Sequence, residues 1–139
     1  MYEWNWAQTE REFQRALALD PNNANVHYLY GGFFLPYAGR FDVAVGELTR
    51  AEALDPLGSV IPTRLGLVLT YARRLEEASE AFRRVLASEP DFVIAHRYLS
   101  LVYRLKGMGD PAIAESRRQI ELRDPNGRAD LAQGYVMTG

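Results

Sequence analysis

Few side chains in this sequence have the chemistry of a catalyst. Its two histidines, His27 and His96, could in principle serve as a general base or as metal ligands. They stand at nearly equivalent places in a repeating pattern, so shared packing accounts for both, and no cluster of further ligands surrounds either. Glu76, Glu77 and Glu80 could pair as acid and base. They fall instead on the outward-facing start of a helical run, where negative charge favours the helix N-terminus, and the spacing predicts a solvated face. No Ser-His-Asp order, phosphate-binding glycine loop or metal motif is present. Gly31-Gly32 lies inside a helical pattern and not after a strand, so it is read as a point of close helix packing. Cysteine is absent, which removes disulfides, thiolate metal sites and cysteine nucleophiles and suits a reducing compartment. The expectation is a chain that is not an enzyme and that uses no metal and no cofactor.

What remains is recognition chemistry. Of 16 basic residues only Lys106 is lysine, and arginine forks bind carboxylates bidentately. Tyr28, Tyr30, Phe33, Phe34 and Tyr37 crowd one helical segment, more than a narrow core stripe needs, so some must face outward. A net charge of −2 argues against a nucleic-acid binder, which needs a concentrated basic excess. No apolar run approaches the ~20 residues of a membrane span, so no membrane insertion is expected. Met1-Tyr2-Glu3-Trp4 does not open a signal peptide. A cytoplasmic location is expected, unless the chain is part of a longer protein placed elsewhere.

The elements that position these groups are announced by four acidic-proline pairs, Asp20-Pro21, Asp55-Pro56, Glu89-Pro90 and Asp124-Pro125, whose prolines lie 35, 34 and 35 residues apart. Each pair closes a helical run, because proline holds the preceding residue out of the α region. Between Ser59 and Pro90, apolar residues recur at three- and four-residue steps on two helices: Leu65 and Leu69, then Leu75, Ala78, Phe82, Val85 and Leu86. A turn near Ala72-Arg73-Arg74 would fold them into an antiparallel hairpin. Asp110-Pro111 reads as an N-cap and first helical position. In that last full repeat Ser116 and Gln119 stand where Phe82 and Val85 stood. One surplus residue and Pro36 in GGFFLPYAG predict a kink or bulge. The expected fold is all-α, a right-handed solenoid of antiparallel helix pairs with about eight helices. As a single array it would comprise a half repeat over 1–21 (helix B only), fuller repeats over 22–56, 57–90 and 91–125, and a half repeat over 126–139 (helix A only).

Leu65-Gly66, Ala78, Phe82 and Pro90, with Phe13, Ala16 and Pro21, Ala44, Ala51 and Pro56, and Leu99, Tyr103, Gly107 and Ala112, recur in phase. The pattern resembles the tetratricopeptide repeat, a helix-turn-helix unit of about 34 residues. The segment from Trp6 to Phe13 looks like arrays attached to bacterial regulatory proteins. The resemblance implies a non-enzymatic module that holds a protein or peptide segment along a concave surface lined by the first helix of each pair. Phase places Phe33 and Tyr37, then Thr63, Arg64, Leu67 and Tyr71, then Arg97, Tyr98, Leu101 and Arg104 on that surface. Guanidinium and aromatic groups together would favour an apolar peptide that carries acidic groups. The Lys and Asn set that some family members use to clamp a chaperone tail is missing. Phase also cuts the array inside a unit at both ends. Trp4, Trp6 and Phe13 at one end, and Leu131 and Tyr135 at the other, would then offer complementary half units for head-to-tail self-association.

Overall fold

The computed structural model describes residues 5–139, and every regular element among them is helical. The elements are α1 (Trp6–Leu19), α2 (Ala24–Leu29), a π-helical stretch (Tyr30–Phe34), α3 (Leu35–Tyr37), α4 (Phe41–Leu54), α5 (Val60–Tyr71), α6 (Leu75–Ser88), α7 (Val93–Leu105), α8 (Gly109–Glu121) and α9 (Gly127–Thr138). Because α2, the π stretch and α3 run on without a break, these make eight helical rods. The chain divides into two compact bodies, Met1–Ile61 and Pro62–Gly139.

Proline ends the helices as its chemistry requires. The residue that caps α1, α4 and α6 is Asp20, Asp55 and Glu89, each extended at φ −142°, −136° and −129°. Each cap still donates its N–H four residues back, to Ala16, Ala51 and Val85. A different device closes the turns inside the hairpins. Gly39, Arg73 and Gly107, spaced 34 residues apart, adopt φ of 73°, 62° and 75°. The residue after each donates five back, Arg40 to Leu35 (2.9 Å), Arg74 to Leu69 (2.9 Å) and Met108 to Tyr103 (2.8 Å). This is the Schellman closure, which needs a left-handed residue after the helix. α8 starts at Gly109 with Met108 as its cap, so Asp110 and Pro111 lie in the first turn, not at its boundary. Proline is tolerated there because first-turn N–H groups have no intrahelical acceptor.

The two 35-residue spacings are absorbed in different ways. Gly31 precedes Gly66 by 35 residues, but Leu35 precedes Leu69 by 34, so the extra residue lies between them. There the helix widens, and Leu35 donates to Tyr30 in an i→i+5 bond. A single inserted residue in an α-helix is accommodated by such a π bulge. Phe34 and Leu35 stay buried like Val68 and Leu69, while Phe33 is pushed to the surface at 38% exposure. The bulge expected around Pro36 is therefore present one turn earlier, with Pro36 itself in the first turn of α3. The second surplus residue is Arg123, at φ 63°. Asp124 donates back to Gln119 (2.9 Å), so α8 ends in a Schellman turn where α1, α4 and α6 end on an extended acidic cap.

In the N-terminal body, Tyr30, Phe34, Leu35, Ala44, Leu48 and Ala51 form the core. Phe13 stacks on Tyr30 (centroids 5.0 Å) and approaches Phe34 (5.6 Å), as does Trp6 (5.4 Å). Gly31 lies against α4 so closely that a Cβ would come within 2.8 Å of the Ala44 carbonyl oxygen. In the C-terminal body, Leu65, Leu69, Ala78, Phe82, Val85, Ala95, Leu99, Val102 and Ala112 are buried. The Phe82 ring fills the space that a Cβ on Gly66 would need, at 2.7 Å.

Candidate functional site

Each histidine ties the first helix of its hairpin to the second. Nδ1 of His27 meets Glu47 Oε2 at 2.5 Å and its Nε2 meets the Pro21 carbonyl at 2.8 Å. His96 repeats this with Glu115 (2.6 Å) and the Pro90 carbonyl (2.7 Å). The His-to-Glu separation is 20 residues in the first pair and 19 in the second, and the π bulge supplies the difference. In the middle repeat the same two places hold Pro62 and Ala81, so both partners of the clasp are replaced together. The histidines are joints between helices, engaged at both ring nitrogens.

A second polar structure runs through the C-terminal body. Ser116 and Gln119, the hydrophilic intruders at the Phe82 and Val85 positions, are fully buried. The two serine hydroxyls of Ser100 and Ser116 bond at 2.9 Å, and Ser116 donates to the Ala112 carbonyl (3.0 Å). Arg104 reaches Ser100 Oγ (3.4 Å) and donates to Asp130 Oδ1 (3.0 Å). With its amide nitrogen turned toward the two carboxylates, Gln119 donates to Asp130 (2.9 Å) and Asp124 (3.0 Å). Arg97 grips Asp124 with two bonds, at 2.8 and 3.1 Å. The result is a continuous seam from α7 through α8 to α9. Burial of a carboxylate is tolerated when every lone pair finds a donor. The Arg97 guanidinium and the Asn126 backbone hold Asp124 below the usual carboxylate range, although burial pushes the other way. Arg97 is shifted up by the same pair.

Above this seam, Arg97, Tyr98, Leu101 and Arg104 of α7 face Asn126 and the α9 residues Ala129, Asp130 and Gln133 across a cleft of about 390 Å³. Four residues expected on the recognition surface thus line one cleft. α9 closes its far wall by packing tightly on α8, where a Cβ on Gly127 would lie 2.9 Å from Ile120 and one on Gly134 2.8 Å from Ile113. Tyr98 is supported from behind by Phe82, ring to ring at 5.8 Å. The two arginines of the cleft already hold aspartates, so their charge is compensated within the fold.

The other expected residues are distributed as follows. On α5, Thr63 and Arg64 are half-buried, Tyr71 is exposed, and Leu67, at 9% exposure, belongs to the core. The Thr63 hydroxyl is buried without a hydrogen bond. Phe33 and Tyr37 are exposed in the N-terminal body, where Phe33 meets Tyr28 edge-on at 5.5 Å. Of the residues assigned to self-association, Trp4 lies outside the described residues, while Trp6 and Phe13 pack on the aromatic cluster of their own body. Leu131 is half-buried, and Tyr135 is exposed with its hydroxyl accepting from Arg117 at 2.8 Å. Sequence reasoning missed the seam. Its signal was present in the irregular Ser116 and Gln119. Among the described residues, no three His, Cys, Asp or Glu side chains converge as metal ligands, and no helix is long and apolar enough to cross a membrane.

Hairpins of this length, joined by recurrent left-handed turns and glycine contacts, define a helical-repeat protein. The tetratricopeptide repeat matches residues 5–59 and 63–126, and the chain belongs to that family. No curated protein matches it. Among solved structures it is similar to a crystal structure of MamA protein, with a TM-score of 0.84, 22% identity, and coverage of 96% of this chain and 74% of that one. A second MamA crystal structure gives a TM-score of 0.73 at 17% identity over 99% and 96% of the two chains. A MamA AMB-1 structure gives 0.72 at 26% identity over 81% and 66%. These likenesses place the fold among the all-helical repeat solenoids.

Proposed function

We propose that the chain is a non-enzymatic protein-interaction module whose first-helix side chains hold a partner segment. The observation that carries this reading is the α7–α9 cleft, in which Tyr98 and Leu101 supply apolar area beside the amides of Asn126 and Gln133. Aromatic and aliphatic anchors ringed by polar groups are the composition of recognition sites. Thr63, Arg64 and Tyr71 extend the candidate surface on α5. Phe33 and Tyr37 supply it in the N-terminal body, where the π bulge holds Phe33 outward, and such bulges are frequent at functional sites. Cytoplasmic placement, and attachment to a larger regulatory protein, belong to the same proposal.

The test is Leu101→Asp. Leu101 is half-buried at the cleft, so the change alters the surface without opening the core. Partner captured from a lysate by the wild-type chain is expected to fall at least tenfold, with helicity and melting unchanged. Equal capture overturns the assignment. Arg97→Ala would be a poor probe, because it strips Asp124 of its main partner and damages the fold.

A second reading is self-association between copies. It is favoured by Val136 on α9, at 83% exposure, beside exposed Tyr135 and Met137. Light scattering over a concentration series should then show association that Val136→Asp abolishes, and a strictly monomeric wild type counts against it.

A further inference from the structure

A separate cleft, of about 350 Å³, lies at the α8–α9 turn and is lined by Ile120, Arg123, Asp124, Pro125 and Arg128. We infer that this cleft binds a carboxylate of an acidic peptide, held between the guanidinium groups of Arg123 and Arg128. The inference deepens the reading of the chain as a protein-binding module and rests on it.

Acid recognition was expected at Arg97 and Arg104, but those two are occupied by Asp124 and Asp130. The carboxylates around the turn are engaged elsewhere: Asp124 by Arg97, Asn126 and Gln119, Glu121 and Asp91 by Arg118, and Glu115 by His96. Arg123 and Arg128 are both exposed, and neither makes an ion pair with a carboxylate among the described residues. They are therefore available to bind from outside. Arg123 is also the surplus residue of its repeat, an arginine held at φ 63° where glycine would be unstrained. Fold alone does not call for its side chain.

The walls discriminate among anions. Ile120 and Pro125 offer apolar surface to the carbon stem of a side chain. Inorganic phosphate has no carbon stem to lay on these walls and forgoes that apolar contact. Planar guanidinium forks match a carboxylate with two parallel bonds.

The test is a titration of 15N-labelled protein with an acetylated, amidated peptide Ile-Asp-Asp-Ile. Its Ile-Asn-Asn-Ile counterpart and inorganic phosphate form the other arms. Saturable shifts of the backbone amides of Arg123, Asp124 and residues 126–129 are expected with the acidic peptide alone, weakened at least fivefold by Arg128→Ala and by Arg123→Gly. Arg123→Gly relieves backbone strain, so its melting temperature should stay level or rise, which separates lost binding from lost folding. Absent shifts, shifts unchanged in both variants, or equal shifts with either control ligand overturn the carboxylate site. Shifts at Tyr98, Leu101 and Gln133 report the α7–α9 cleft separately, so failure at the turn leaves the wider reading testable on its own.

Discussion

Asp124 shows how one residue of an acidic-proline pair takes on a further role. Three of the acidic residues before proline are solvent-exposed caps, but the side chain of Asp124 is only 1% exposed and is gripped by Arg97. Its carboxyl is held below the ordinary range, so folding favours the ionised form. That contribution is complete above the ordinary aspartate value near pH 4 and is lost as pH falls through the lower folded-state value. Asp124→Asn should therefore flatten the acid limb of stability below about pH 4, measured by urea unfolding at stepped pH. An acid limb identical to wild type would show that the pair contributes nothing. At pH 7 Arg97→Ala should cost about 2–3 kcal/mol, because a buried carboxylate loses a charged donor. Arg73 makes the opposite case. It sits left-handed where its two counterparts are Gly39 and Gly107, so Arg73→Gly should stabilise the fold by about 0.5–1 kcal/mol. A loss of stability in the same unfolding measurement would mean that the Arg73 side chain has an unrecognised role.

At the scale of elements, helix existence and hairpin order follow from proline and apolar spacing, and these were legible in the sequence. The helix ends at Asp20, Asp55 and Glu89 fall where proline chemistry puts them. Legibility ended where polar groups were paired over distance. Nothing local marks His96 as the partner of Glu115, or Gln119 as the donor that joins Asp124 to Asp130, because those pairings exist only once hairpins pack. The acid preference assigned to Arg97 and Arg104 had the same weakness, since phase places a guanidinium on a face but does not show which carboxylate occupies it. Counting did locate the surplus residue of the second repeat, and the structure converts it into a π bulge at Tyr30–Phe34. Deleting Phe33 should restore α-helical spacing, keep Phe34 and Leu35 buried, and change unfolding free energy by less than about 1 kcal/mol. Loss of cooperative unfolding in that variant would show that the bulge is required by the core.

At the scale of the molecule, membership of the tetratricopeptide repeat family accounts for the architecture, while recognition rests on particular side chains placed on it. The C-terminal body holds its last helix with glycine contacts and a buried polar seam, which fixes the cleft walls more rigidly than apolar packing alone. A preformed cleft of this kind loses little entropy on binding. The central claim, that α7 and α9 receive a partner segment, is tested most directly by hydrogen-exchange mapping of the chain with and without its captured partner. Binding there should slow exchange in α7 from Tyr98 to Arg104 and, from the Asn126 cap through Gln133, along the start of α9, and leave the outward side of α8 unchanged. Protection confined to other helices, with α7 and α9 exchanging as in the free chain, would contradict it.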